Sequence, residues 1–138
     1  MAEHTYSYFD HDADIGIVGQ GSTPEAAFVA AAEAMFAIMA DLRCIEPRNE
    51  IVIAFDEDDL EFALVTWLNL LLAEARSHGL ILGKFQLSRD GSHWRGRVWG
   101  EPWRETLERG VEVKGATLTM LSVRHMDNLW DARCIVDV

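Results

Sequence analysis

The stretch Asp56-Glu-Asp-Asp-Leu-Glu-Phe-Ala-Leu-Val-Thr-Trp-Leu-Asn-Leu-Leu-Leu-Ala-Glu-Ala-Arg-Ser-His-Gly79 decides the reading of the fold. Its apolar positions Leu60, Leu64, Trp67, Leu68, Leu71, Leu72 and Ala75 recur at intervals of three and four, which places them on one helical face. Acids at 56–59 suit the start of that helix, where backbone N–H groups lack partners and the macrodipole is positive. Gly79 stands where a left-handed C-terminal residue is expected. Before the helix, Glu50-Ile-Val-Ile-Ala-Phe55 is β-rich, and after it the pattern turns to strands. Ile81 to Ser88 and Trp94 to Trp99 flank Arg89-Asp-Gly-Ser-His93, a turn built around Asp-Gly that predicts a hairpin.

Outward from this centre, Thr117 to Val123 and Trp130 to Val138 read as two more extended segments, joined by Arg124-His-Met-Asp-Asn128. Towards the N-terminus, Tyr6-Ser-Tyr-Phe9 and Ile15-Gly-Ile-Val18 look extended, with Asp10-His-Asp-Ala-Asp14 between or within them. Ser22-Thr23-Pro24-Glu25 then supplies a capping hydroxyl, a first-turn proline and an acid. The helix that follows carries a stripe of Ala27, Phe28, Ala31, Ala32, Met35, Phe36 and Met39. The expected architecture is α+β, with two amphipathic helices packed on one face of a mostly antiparallel sheet of about six strands. All 138 residues are expected to form a single domain, since no linker or repeat divides them.

Charge narrows the function. Twelve Lys and Arg face 23 Asp and Glu, a formal net charge of −11. Nucleic-acid binders gain affinity by neutralising phosphates with cations, so stable direct binding to RNA or DNA is not expected. The same field favours metal cations or a basic protein surface. No apolar run reaches the ~20 residues that span a bilayer, and the first residues lack a secretory pattern, so the chain reads as cytoplasmic with no membrane partner. Cys44 and Cys134 have no metal-ligand spacing and read as two small buried hydrophobes.

Candidate chemistry collects in carboxylates. Asp10, Asp12 and Asp14 share a parity, so in an extended segment their side chains project to one face. Asp137 stands near the end of the sequence, beside the terminal carboxylate of Val138. Hard oxygen donors of this kind suit Ca²⁺, Mg²⁺ or Mn²⁺, although acids in tight connections also serve as caps and turn formers. His11 is open to three roles: ligand, general base or hydrogen-bonded structural residue. Trp94, Trp99, Trp103 and Trp130 are not interleaved with a basic stripe and are expected to pack. Gly16, Gly19 and Gly21 lack the Walker lysine, and neither a GxSxG elbow nor an HExxH helix occurs, so no catalytic residue and no organic cofactor site is expected.

Six segments taken in order sharpen this. Phe9-Asp-His-Asp-Ala-Asp-Ile-Gly-Ile17, Gly21-Ser-Thr-Pro-Glu-Ala-Ala-Phe28, Trp67-Leu-Asn-Leu-Leu71, Gly100-Glu101, Glu112-Val-Lys-Gly-Ala-Thr117 and Ile135-Val-Asp-Val138 resemble motifs of the archease family. The resemblance implies an accessory protein, not an enzyme, that activates an RtcB-type RNA ligase in tRNA splicing and RNA repair. In that role it would promote guanylylation of the ligase histidine and multiple turnover. It also implies a divalent cation, Ca²⁺, Mn²⁺ or Mg²⁺, held by Asp14, Asp137 and Val138. Glu101, Glu112 and Lys114 match motif positions expected near that site, in its surroundings or facing the partner. Asp12 replaces a usual threonine, Gly115 a common alanine, and Leu118-Thr119 a tyrosine followed by histidine or serine. Two other readings of the same acids are a free-standing metal-dependent phosphohydrolase, with Lys114 steadying a phosphate, and a non-catalytic acidic protein-binding module.

Overall fold

Helix α2 (Leu60–His78) forms as its caps dictate: Asp59 accepts from the Phe62 N–H at 3.0 Å, and Gly79 turns left-handed at φ 65. The computed structural model describes residues 3–138, which form eight strands and two long helices. Helix α1 (Pro24–Met39) begins at Thr23, whose hydroxyl accepts from the Ala26 N–H at 3.1 Å, with Pro24 in the first turn. Every strand pairing is antiparallel.

The α+β class is as expected, but the strands divide between two sheets. The larger contains β1 (His4–His11), β2 (Asp14–Gly21), β8 (Leu129–Asp137) and β6 (Gly115–Ala116), with β7 (Ser122–Met126) also on β8. The smaller contains β3 (Asn49–Asp56), β5 (His93–Pro102) and β4 (Leu80–Asp90), in that order. The expected Asp-Gly hairpin is β4–β5, turning at Gly91 and Ser92 with Asp90 opposite His93.

The segment read as one strand from Thr117 to Val123 is interrupted. Both the N–H and the hydroxyl of Thr117 donate to the Ile135 carbonyl, at 3.0 and 2.8 Å, and Met120 takes φ 53. The chain therefore detours between β6 and β7, which meet the same edge of β8. The segment read as the turn 124–128 is mostly strand: Asp127 and Asn128, at φ 53 and 65, make a two-residue hairpin turn between Met126 and Leu129.

The two sheets share a core through α1. Beyond the expected stripe, Ala26, Val29, Ala30 and Ala34 are also buried, so this helix is covered almost all round. Small residues permit the approach: a Cβ on Gly19 of β2 would lie 2.2 Å from the Ala27 carbonyl oxygen. Trp67, fully buried, donates its indole N–H to the Phe28 carbonyl at 3.0 Å and ties α2 to α1. Trp94 stacks between Phe28 and Phe55, at 5.1 and 5.9 Å, and so joins β5 to both neighbours. Full burial of each such side chain contributes about 1.5–3 kcal/mol relative to exposure. The end of α1 has no basic residue, and its Met39 and Ile38 carbonyls instead accept from the N–H groups of Gly110 and Val111 at 2.8 and 3.0 Å.

Candidate metal centre

The N-terminal acids do not share one face. Asp12 takes φ 50 at the tip of a two-residue turn, and His11 lies opposite Asp14. The segment is therefore a hairpin corner rather than a continuous strand, and side chains do not alternate through it. Asp10 pairs across with Ile15, while Asp14 pairs with His11, so Asp10 and Asp14 project to opposite faces.

The ladder does bring Asp14 and Asp137 together. Ile15 pairs with Val136, which leaves Asp14 and Asp137 facing each other at the next step of the register. The Val138 N–H points at Asp14 Oδ1 across 3.4 Å, so the main chain of Val138 lies beside that carboxylate. On the other side of Asp137, β6 closes the corner: Gly115 pairs with Asp137, and the Lys114 N–H donates to the Asp137 carbonyl at 2.8 Å. Neither Asp14 nor Asp137 forms an ion pair among the described residues.

Position β6 depends on Asn69 of α2. Its amide oxygen accepts from the Ala116 N–H at 2.9 Å and its amide nitrogen donates to the Ala116 carbonyl at 3.1 Å. One side chain thus does what a further strand would do for that edge. Asn69 lies within the Trp67–Leu71 motif, which by itself assigns it no task. A polar residue near the apolar face of an amphipathic helix was the available signal.

The other expected residues separate. Glu101, 2% exposed, sits at the end of β5 in the smaller sheet. Its carboxylate accepts from the Glu46 N–H at 2.6 Å and from Arg104 Nε at 2.8 Å. The Arg104 guanidinium holds that carboxyl below the usual range, and the Glu46 N–H adds to the effect. Arg104 also reaches the Cys44 carbonyl at 3.1 Å, so Glu101 fastens the loop after α1 and its polar atoms are engaged there. Glu112 lines a cavity between the helix ends. Asp12, Asp14, Lys114, Asp137 and Val138 share the corner of the larger sheet.

The donor set fits a hard cation. Among the described residues no three His, Cys, Asp or Glu side chains converge; Asp14 and Asp137 offer two carboxylates, and the main chain of Val138 lies beside Asp14. Opposite Asp14, the Nδ1 atom of His11 is buried without a hydrogen-bond partner, an unmet polar group at the same corner. The loose glycine series has another explanation here: Gly16 lies beneath the Phe9 ring and Gly19 against α1. Cys134 is buried as expected, whereas Cys44 is exposed.

Fold and site together define a small α+β domain that presents an oxygen-rich corner at one end of its larger sheet. Among the described residues no helix is long and apolar enough to cross a membrane. The chain belongs to the archease family: the pattern of the archease protein family (MTH1598/TM1083) matches residues 6–138. It is 36% identical over 136 residues to the protein archease of Sulfolobus acidocaldarius, covering 96% of this chain and 98% of that one. To the protein archease of Pyrococcus furiosus it is 35% identical over 139 residues, with the same coverage. The solution structure of Methanobacterium thermoautotrophicum protein 1598 superposes with a TM-score of 0.81 at 30% identity, covering 96% of this chain and 98% of that chain. Membership supports an accessory role in RNA processing.

Proposed function

We propose that this protein activates an RtcB-type RNA ligase in tRNA splicing and RNA repair, promoting guanylylation of the ligase histidine and repeated turnover. It does so with a divalent cation, Ca²⁺, Mn²⁺ or Mg²⁺, held by Asp14, Asp137 and a main-chain oxygen of Val138. The observation that carries this reading is the register that sets Asp14 against Asp137 with Val138 alongside, within a family match spanning 6–138. A bound divalent cation neutralises charge near a nucleotide phosphate. Asp14 and Asp137 contribute position: each sits on a strand, so their carboxylates are held by the ladder. Asn69, through β6, fixes the side of the corner on which Lys114 lies. The net charge of −11 directs the chain towards a basic protein surface, leaving RNA to the ligase.

The test is ligation with a cognate ligase, GTP and Mn²⁺. Substoichiometric protein is expected to permit many rounds where the ligase alone stalls after little more than one. Asp137→Ala is expected to abolish this assistance and to remain folded, since it removes a carboxylate from a repelling pair. Equal guanylylation rates and turnover with and without the protein would overturn the proposal.

A further inference from the structure

A cavity of about 460 Å³ opens where the C-terminal ends of α1 and α2 meet the irregular segment 103–113. Phe36, Met39, Leu72, Ile81 and Trp103 supply apolar wall, and the volume falls within the range of small-molecule sites. Arg76 and Arg109 also line the cavity, with Glu112 the one acid in the lining. The local sign of charge is thus opposite to that of the chain, in which 23 acids face 12 cations.

Neither arginine forms an ion pair among the described residues, despite that excess of carboxylates. Arg109 lies over the Trp103 ring, 3.9 Å from its centroid, making a flat platform with one cationic layer. Arg76 donates through one nitrogen to the Val113 and Lys114 carbonyls, at 2.6 and 3.1 Å. That fixes its direction and leaves the rest of its fork of five N–H donors without an acceptor among the described residues. The segment bearing Arg109 is itself held to α1 by the Gly110 and Val111 N–H groups. Two positioned, unneutralised guanidiniums at an apolar cavity match one ligand chemistry: a planar apolar body carrying an anionic group. The single acid, Glu112, tells against a polyanion.

We propose that this cavity binds a small organic carboxylate, its planar body against the Trp103 wall and its carboxylate on Arg76 and Arg109. The site is separate from the Asp14–Asp137 corner and does not rest on the ligase reading. The experiment is an NMR titration of the full chain with 2-naphthoate and with its neutral counterpart 2-naphthalenemethanol, read at the Trp103 indole and Val113 amide. Naphthoate is expected to bind about tenfold more tightly, the scale of one charge-assisted contact. Arg109→Gln, at an exposed position, should remove most of that preference, and Arg76→Gln provides a second measure of it. Val111→Trp, which adds bulk at the rim on a residue 52% exposed, should weaken both probes. Leu118→Ala, at an exposed position outside the cavity lining, should change neither. Equal affinity for the two probes, a preference that survives Arg109→Gln, or unaltered binding in Val111→Trp would each overturn the proposal.

Discussion

Asp14 and Glu101 show how little an acid's place in a motif says about its task. Glu101 is buried with its oxygens engaged by Arg104 and the Glu46 N–H, whereas Asp14 is partly exposed and, among the described residues, meets only the Val138 N–H, at 3.4 Å. The first is a fastening and the second a candidate ligand. Removing Asp14 therefore has two expected consequences of opposite sign. Calorimetry should show Asp14→Ala losing at least tenfold in Ca²⁺ or Mn²⁺ affinity, about 1.4 kcal/mol, because a site with two side-chain carboxylates has no substitute donor. Without metal, its melting temperature should be equal to or above that of the unaltered chain, since one of two facing negative charges is gone. Equal metal affinity in the two proteins would exclude Asp14 from the site. The juxtaposition with Asp137 was legible only through the family resemblance, because 123 positions separate the residues and no local pattern encodes their pairing. The same-face reading of Asp10, Asp12 and Asp14 failed at one backbone angle, the left-handed φ of Asp12.

Elements whose signals are local read correctly from the sequence. The caps of α2 at Asp59 and Gly79, the start of α1 at Thr23 and the β4–β5 turn at Gly91 each depend on residues within one turn of chain. Division into two sheets does not, because it depends on α1 being narrow enough for strands to approach it from both sides. Alanine at 26, 30 and 34 reads as weakly apolar in a periodicity argument, yet it is what lets that helix be covered almost all round. Strand β6 is a further case: two residues long, it exists because Asn69 pairs with both polar groups of Ala116. Asn69→Ala leaves a partly buried N–H and carbonyl unpaired, at an expected cost of about 1–3 kcal/mol. Because Gly115 of β6 pairs with Asp137, the substitution should also loosen the Asp14–Asp137 corner. Hydrogen exchange should show faster loss of the Ala116 and Lys114 amides, accompanied by weaker Ca²⁺ binding. A stability loss with unchanged exchange at both amides would show that β6 is held by other means.

Over the whole molecule, the groups with displaced proton affinities set limits on both sides of neutrality. Glu101 and Asp131 are held below the usual carboxylate range by hydrogen bonds from Arg104 and Arg133 respectively, so both bind protons less readily folded than unfolded. The stability they contribute is present above their unfolded values, 4.5 and 3.8, and is lost as pH falls through their lower folded values. Glu33 opposes them: burial, partly offset by His4, raises its pKa, so its protonation favours the folded chain as pH falls. On the alkaline side, burial pushes the Cys134 thiol from 9.0 up to about 12. The Tyr8 hydroxyl moves from 10.0 to about 12, chiefly through burial and then through the charge of Tyr6, and donates to the Ala34 carbonyl at 2.7 Å. Raised values reverse the sign, so this stability is complete below pH 9.0 for Cys134 and 10.0 for Tyr8, and declines as pH rises towards 12. Urea midpoints measured across pH should therefore form a plateau from about pH 5 to about pH 9, with a fall on either side. Cys134→Ala lowers the plateau through the small cavity it leaves, but it removes the first alkaline titration and should delay the onset of the fall to about pH 10, where Tyr8 begins. An alkaline limb that begins at the same pH in both proteins would show that Cys134 does not set it, and a midpoint unchanged to pH 11 would remove both groups from the account.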